Sequence, residues 1–279
     1  MSTGTSVDTL QSQPRKPPIV LTIAGFDPSS GAGITADLQV FAAHRLFGTA
    51  CITALTVQST RGVAAVEPVS ALIGQTLSHL GADLQPAGIK IGMLATAEAV
   101  SAVANYLTHR HGPKIPVVLD PVILSSSGAC LLNSQGIVVL QAKLLPLVDW
   151  ITPNRAELGE LNGVDTSADI EDALHALSRR YPHLHIVATG GDHIGEGTVD
   201  TLLTPDGDLH RFEGPRIDTT STHGTGCAFS SALLARLVLG YAPQDAVGAA
   251  KIYVTEAIRR AKGLGQGHGP LHLLWPLAP

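Results

Sequence analysis

Short apolar runs alternate with helix-spaced apolar positions along most of the chain. Residues 19–25 (IVLTIAG) are almost entirely apolar and end in glycine, which predicts a buried strand. Ile34, Leu38 and Phe41 then recur at helical spacing, which predicts a helix directly after that strand. By the same criteria we predict strands at residues 51–57, 87–91, 117–120, 148–151 and 186–189, and helices at residues 69–80, 96–109, 134–145, 226–239 and 244–261, with a further helix that reaches residue 174.

This alternation predicts an α/β fold of three layers, in which a mostly parallel central sheet has helices on both faces. The pattern changes near residue 205, where segments 198–203 and 209–212 flank a Pro-Asp-Gly turn and predict a hairpin. Residues 1–17 are polar, so we expect a flexible tail there and one domain over residues 18–279. Ligands of such sheets bind beyond the carboxyl ends of the strands.

Composition narrows the classes of function. Of the 279 residues, 44% are hydrophobic and 15% are charged, which excludes disorder as the main state. No stretch approaches the roughly 18 apolar residues of a membrane-spanning helix, and the first residues lack a signal-peptide pattern. The net charge is −5 and basic residues are scattered, so we expect no nucleic-acid or membrane partner. Three distant cysteines without a CxxC spacing favour a reducing cytoplasm over a disulfide framework or a zinc site.

The segment THGTGC, residues 222–227, carries the most chemical information. Gly224 and Gly226 let backbone N–H groups converge, and apolar positions from residue 229 onward predict a helix that begins here. The N–H groups around Thr225 and the positive end of the helix dipole would then bind an anion. Cys227 in the first turn would have a lowered pKa and partial thiolate character. A tight turn followed by a small buried cysteine is an equally good interpretation of the spacing.

A second glycine-rich segment, GAGITA at residues 31–36, matches the spacing of a dinucleotide-binding fingerprint. Five residues separate it from Gly25 at the end of the first strand, and no acidic residue lies about 20 positions further on. We therefore favour a connector that lets a helix pack closely on a strand over a nicotinamide or flavin site.

Acidic residues follow two neighbouring strands of the predicted sheet. Asp120 ends one strand, and Asn154 and Glu157 follow the next. Asn154 and Glu157 have the spacing of a helix capping box, which is one interpretation. The other is that all three hold a hydrated Mg²⁺ ion, which prefers oxygen ligands.

Gly190 and Gly191 follow the strand at residues 186–189 and offer a backbone surface that can approach a phosphate group. Gly190 and Gly195 have the glycine spacing of a Walker A loop, but Glu196 stands where its lysine would be. The sequence also contains no HExxH or GxSxG motif. These observations exclude a P-loop nucleotide site, a zinc protease of that type and a serine hydrolase of that type.

In order and spacing, these segments resemble the hydroxymethylpyrimidine/phosphomethylpyrimidine kinase family of thiamine biosynthesis, in the ribokinase-like superfamily. The resemblance runs from about residue 19 to residue 271 and is carried by LTIAGFDPSSGAGITADL, ITALTVQSTRGV, IKIGML, VVLDPVILSSSG, ITPNRAE, THGTGC, AKIYVTEAI and GLGQGHGPL. It implies a ribokinase-like fold, a homodimer, and ATP- and Mg²⁺-dependent phosphorylation of 4-amino-5-hydroxymethyl-2-methylpyrimidine. The monophosphate would then be phosphorylated again, to the pyrophosphate.

The resemblance also implies roles for single residues. Cys227 takes the position of the catalytic base, and Asp120 and Glu157 organise Mg²⁺ with support from Asn154. The amide of Gln58 matches an exocyclic amine beside a ring nitrogen. The anion hole falls on Gly224, Thr225, Gly226 and Cys227, the pyrimidine pocket on Gly25, Ala32, Asp37, Thr56, Gln58 and Met93, and the nucleotide contacts on Thr189, Gly190 and Gly191.

Two alternative functions remain open. A pyridoxal or pyridoxine kinase of vitamin B6 salvage is one, since cysteine-bearing relatives can use those substrates. A ligand-binding protein that has lost catalysis is the other. It is disfavoured because Asp120, Glu157 and the turn at residues 224–227 are all present.

Overall fold

Nine strands form one sheet in the computed structural model of the chain, which describes residues 16–125, 128–163, 169–190 and 197–277. Most of the predicted tail, residues 1–15, lies outside the described residues. The strands are β1 Ile19–Phe26, β2 Phe47–Ser59, β3 Gly62–Pro68, β4 Ile89–Ile91, β5 Val117–Leu119, β6 Trp150–Ile151, β7 His185–Ala188, β8 Gly197–Leu203 and β9 Leu209–Pro215.

The sheet has the strand order β3-β2-β1-β4-β5-β6-β7-β8-β9. Strands β2, β1, β4, β5, β6 and β7 are parallel, whereas β3 at one edge and β8 and β9 at the other pair antiparallel. The prediction of a mostly parallel sheet is therefore confirmed. The chain passes from β1 to β2 on one side and later to β4 on the other, and ligands bind at such a switch point, beyond the carboxyl ends of the strands.

Helices cover both faces of the sheet, as predicted. One apolar cluster contains Ile73, Val103 and Leu158 from helices of the first layer, and a second contains Phe41, Leu233 and Val247 from helices of the other. The first layer is made of α2 Ser70–Asp83, α3 Ala97–His109, α4 Ser134–Val139, α5 Arg155–Asn162 and α6 Ile170–Arg180, and the second of α1 Gly33–Ala43, α7 Thr225–Val238 and α8 Pro243–Arg259.

Three local features differ from the sequence predictions. Strand β3 was not predicted, because its exposed, alanine-rich positions ending in Pro68 carry little strand signal. The predicted helix at residues 134–145 is α-helical only to Val139, and a π-helical turn and a 3-10 turn that contains Pro146 follow it. The predicted helix that reaches residue 174 is two helices, since Gly163 closes α5 in the left-handed conformation.

Candidate active site

The turn at residues 222–227 leads directly into helix α7, as predicted. Gly224 caps the helix with a φ of 83°, in the left-handed region. The first intrahelical hydrogen bond is donated by Ala228 N–H to Gly224 O, so the N–H groups of Thr225, Gly226 and Cys227 have no acceptor within the helix. A Cβ atom on Gly226 would lie 3.6 Å from Asp120 Oδ2, which places these N–H groups beside a buried carboxylate.

We expect Gly224→Ala to destabilise the protein far more than Gly240→Ala. Both glycines have positive φ, but a Cβ on Gly224 would lie 1.8 Å from Gly31 O, whereas nothing lies within 4 Å of one on Gly240. Left-handed strain costs each variant about 1 kcal/mol, and Gly224→Ala adds about 1–3 kcal/mol for the steric clash. Urea unfolding of both variants measures the difference, and equal losses would show that the close approach to Gly31 is unimportant.

A fully buried ion pair lies below this turn. Lys90 in β4 and Asp37 in α1 both have no exposed surface, and Lys90 Nζ lies 3.0 Å from each carboxylate oxygen of Asp37. The hydroxyl groups of Thr22 and Ser231 also donate to Asp37, at 2.5 and 2.7 Å. The prediction that Asp37 lines the substrate pocket is therefore wrong for its side chain, because these partners occupy both oxygens in a site closed to solvent.

Lys90 was not among the residues predicted from the sequence. A lysine in a strand that is covered on both faces must be buried and must have a partner, and this was a usable signal. Although burial lowers it, the ion pair with Asp37 raises the pKa of Lys90 above its usual value. Lys90 therefore stays an ammonium ion, the cation that opposes the acidic groups beneath the α7 turn.

Cys227 is a thiol in the free protein, and the expectation of a lowered pKa is wrong. Burial raises the pKa of Cys227 to about 12, and the carboxylates of Asp120 and Asp37 add to this rise while Lys90 opposes it. Burial likewise raises the pKa of Asp120 to about 6, again with Lys90 opposing. Desolvation and two neighbouring carboxylates therefore favour the neutral thiol of Cys227.

A small apolar cluster lies at the carboxyl ends of β1 and β4. Met93 packs with Ala54 and Leu131, and a Cβ atom on Gly25 would lie 3.0 Å from Met93 Sδ. Thr56 Oγ1 lies 3.0 Å from the carbonyl oxygen of Phe26. The structure thus brings Gly25, Thr56 and Met93 to the sheet edge where the switch point lies.

Gln58 stands beside this cluster and contacts His223, which in turn contacts Asp27; neither of these two residues was predicted from the sequence. Its terminal amide lies 3.1 Å from His223 Nε2, and that nitrogen lies 2.7 Å from Asp27 Oδ2. Asp27 also accepts hydrogen bonds from Ser29 and from the N–H of Ala32. Because 196 residues separate Asp27 from His223, no local spacing could have revealed this pair.

The predicted capping box is present. Asn154 Oδ1 accepts from Glu157 N–H and Glu157 Oε2 accepts from Asn154 N–H, both at 2.9 Å. The capping interpretation is therefore confirmed. Within the described ranges, no group of three acidic, histidine or cysteine side chains is arranged to hold a metal ion, so the Mg²⁺ ligands remain a proposal.

Gly190 does not offer its N–H group to a ligand, which corrects the prediction for that atom. The N–H donates to Asp200 Oδ1 at 2.9 Å, and Asp200 in turn pairs with Lys251 at 3.0 Å. A Cβ on Gly190 would lie 1.9 Å from Val199 O, so close strand packing requires the glycine. Thr189 is half-buried directly after β7, and Gly191 lies outside the described residues.

The second glycine-rich segment is the predicted connector. A Cβ atom on Gly33 would lie 2.2 Å from Gly25 O, and one on Gly31 would lie 2.3 Å from the ring of His223. These approaches hold α1 against β1 and against the α7 turn. In the part of the chain that the structure describes, no helix is long and apolar enough to cross a membrane.

Comparisons with known proteins show which family the chain resembles. The family model for phosphomethylpyrimidine kinase matches residues 27–272. The hydroxymethylpyrimidine/phosphomethylpyrimidine kinase of Haemophilus influenzae is 42% identical over 257 residues, which are 90% of this chain and 94% of that protein. The ADP complex of Bacillus subtilis pyridoxal kinase superposes with a TM-score of 0.82 at 30% identity, over 94% of this chain and all of that one. The phosphomethylpyrimidine kinase of Clostridium difficile has a TM-score of 0.73 at 35% identity, over 86% of this chain and 99% of that one.

The sheet, its two helical layers and the α7 turn thus define a small-molecule kinase of the ribokinase-like fold. Within that class, the chain belongs to the phosphomethylpyrimidine kinase family.

Proposed function

We propose that the protein transfers the γ-phosphoryl group of ATP to the hydroxymethyl group of 4-amino-5-hydroxymethyl-2-methylpyrimidine, and then phosphorylates the monophosphate to the pyrophosphate. One observation carries the proposal. The N–H groups at the start of α7, which have no acceptor within the helix, lie beside Cys227 and Asp120, and the close approach of Gly224 to Gly31 holds the same turn against the segment before α1. Phosphoryl transfer needs this combination of positioning, charge neutralisation and a proton acceptor for the attacking hydroxyl group.

The pocket suits an aminopyrimidine. Met93, Ala54 and Leu131 offer an apolar surface to a flat ring. Gln58 offers an amide oxygen to the exocyclic amine and an amide N–H to the neighbouring ring nitrogen. Asp37 supports the pocket from below as the partner of Lys90 and does not contact the substrate.

Backbone groups are the proposed phosphate ligands. The N–H groups of Thr225, Gly226 and Cys227 point out of the first turn of α7, where the helix dipole favours an anion. Thr189 follows β7 at the same edge of the sheet and is the proposed nucleotide contact there. A net charge of −5 suits binding of phosphate through N–H groups and a metal ion better than through a basic patch.

Asp120 and Glu157 would hold Mg²⁺, with Asn154 fixing Glu157 through the capping box. Both carboxylates are buried, and each follows one of two neighbouring strands. The pKa of Asp120 is raised to about 6, and a bound cation would lower it again. The bound ion would supply positive charge that neutralises the phosphate oxygens and favours the ionised forms of nearby acids. Cys227 is a protonated thiol in the free protein, so it would first lose its own proton to solvent when the bound metal ion brings positive charge to the site. The thiolate would then accept the proton of the attacking hydroxyl group.

Further proposals concern the organisation of the protein. We propose that residues 18–279 act as one domain, and that the free thiols of Cys51, Cys130 and Cys227 reflect a cytoplasmic location. We also propose a homodimer in which a second copy covers the apolar side chains that β2 exposes. Ile52, Leu55 and Val57 are each 37–63% exposed in that strand.

A coupled ADP-release assay tests the function. With ATP and Mg²⁺ we expect ADP release with the hydroxymethylpyrimidine and with its monophosphate, and none after removal of the metal with EDTA. Turnover of pyridoxal alone would favour the vitamin B6 kinase, for which the likeness to a pyridoxal kinase structure is the supporting observation. Absence of ADP release with all three compounds would favour a ligand-binding protein.

A further inference from the structure

Asp27 is a carboxylate that only accepts hydrogen bonds. It is 3% exposed, and Ser29 N–H and Ala32 N–H donate to its two oxygens at 2.8 and 3.0 Å. The hydroxyl group of Ser29 adds contacts of 2.7 and 2.9 Å. Although burial opposes it, hydrogen bonds from His223 and Ser29 hold the pKa of Asp27 below its usual range. Its 2.7 Å contact with His223 Nε2 is therefore a hydrogen bond that the imidazole donates.

This bond determines which end of the Gln58 amide faces His223. A protonated Nε2 has no lone pair, so it cannot accept from the amide NH₂ group that lies 3.1 Å away. The oxygen and nitrogen of an amide have nearly the same shape, and their partners decide the orientation. The structure places the NH₂ end of the Gln58 amide toward His223, so the two ends must be exchanged. The amide oxygen then faces His223 Nε2–H and shares its one proton with Asp27.

Thr56, on the other side of Gln58, requires the same orientation. Its single hydroxyl proton is donated to Phe26 O at 3.0 Å. The structure places the amide oxygen of Gln58 3.1 Å from Thr56 Oγ1, but a hydroxyl group whose one proton goes to Phe26 O can form this second bond only as an acceptor. Exchange of the two ends of the amide turns the NH₂ group toward Thr56. Two independent partners on opposite sides of Gln58 therefore lead to one assignment.

We infer that the Asp27–His223 pair is a positioning pair that orients the Gln58 amide and thereby selects one direction of the aminopyrimidine in the pocket. The inference rests on the proposed function. The substrate amine faces the amide oxygen, on the His223 side, and the ring nitrogen faces the NH₂ group, on the Thr56 side. In this substrate the hydroxymethyl group is on the carbon next to the one that bears the amine. Because His223 directly precedes Gly224, the reacting group is directed toward the α7 turn.

His223→Leu and His223→Gln separate orientation from packing. Leucine fills the space but donates nothing, so we expect KM for the hydroxymethylpyrimidine to rise about tenfold and kcat to change much less. The NH₂ group of glutamine can donate to both Asp27 and Gln58, so His223→Gln should bring KM back to within about threefold of the wild-type value. His223→Leu should raise KM much less for 5-hydroxymethyl-2-methylpyrimidine, which lacks the amine and has only the ring nitrogen to lose a partner. An equal rise in KM for both pyrimidines would overturn the inference.

A double-variant cycle and a spectrum complete the test. In a Gln58→Ala background, His223→Leu should cause no further rise in KM. If the two substitutions raise KM additively, His223 does not act on the substrate through Gln58. In the wild-type protein, the ¹⁵N spectrum of the imidazole groups should show the His223 proton on Nε2 without any substrate. A proton on Nδ1 alone would overturn the inference even if the enzyme is active. Failure of the wild-type protein to phosphorylate the pyrimidine, with the Nε2 proton present, would instead overturn the proposed function and the substrate direction that rests on it.

Discussion

Cys227→Ala should lower kcat by about 100-fold or more while the protein stays folded. Loss of a positioned proton acceptor costs about 10²–10⁴ in rate. The side chain is small and lies in the first turn of α7, so its truncation to a methyl group removes one sulfur atom and leaves little cavity. Steady-state kinetics give kcat, and thermal unfolding shows whether the fold is intact.

Cys227→Ser and Cys130→Ala are the matched controls. A serine hydroxyl keeps the size and the hydrogen-bonding capacity of the thiol but is a far weaker acid. If Cys227 accepts a proton, the serine variant should lose about as much kcat as the alanine variant. Cys130 is an exposed cysteine outside the α7 turn, and its replacement should leave kcat unchanged. Near-normal turnover by Cys227→Ala would remove the residue from the role of proton acceptor.

Lys90→Met should destabilise the protein by about 3–5 kcal/mol, the usual cost of leaving one partner of a buried ion pair without its counter-charge. Asp37 has no exposed surface, so water cannot replace the lost ammonium group. Thr22 and Ser231 would still donate to the carboxylate, but neither carries a charge. Urea unfolding of the variant measures the loss in the free energy of unfolding.

The double variant Lys90→Met/Asp37→Leu tests whether the unpaired charge of Asp37 causes this loss of stability. Replacement of both charges by apolar groups of similar volume is often neutral or stabilising, so the double variant should be more stable than Lys90→Met alone. The same double variant should be a poor enzyme, because Lys90 opposes the negative charge of Asp120 around Cys227. A loss below about 1 kcal/mol in Lys90→Met, or a double variant less stable than the single one, would contradict the importance of the pair.

Periodicity was sufficient to predict most of the sheet and both helical layers, because buried parallel strands are nearly continuous apolar runs. Strand β3 was not predicted because an exposed edge strand is not a continuous apolar run. Gly163, visible in the sequence, explains the end of α5, whereas nothing in the sequence marks the change from α-helix to π-helix after Val139.

The site was predictable where its residues follow strands, and less so where distant segments meet. The α7 turn and the capping box at Asn154 needed only local spacing. The Asp27–His223 pair and the state of Cys227 depend on tertiary contacts that no spacing encodes. At Gly190 the sequence predicted a phosphate contact, but the glycine is needed for close packing on Val199, and its N–H group donates a hydrogen bond to Asp200.

The most direct test of the proposed kinase activity is a ³¹P NMR time course with ATP, Mg²⁺ and 4-amino-5-hydroxymethyl-2-methylpyrimidine. We predict that a phosphomonoester signal appears first and is then replaced by the two signals of the pyrophosphate ester, with two ADP formed per pyrimidine. If ATP and the pyrimidine remain unchanged while pyridoxal under the same conditions is converted to its phosphate, the proposed function is contradicted.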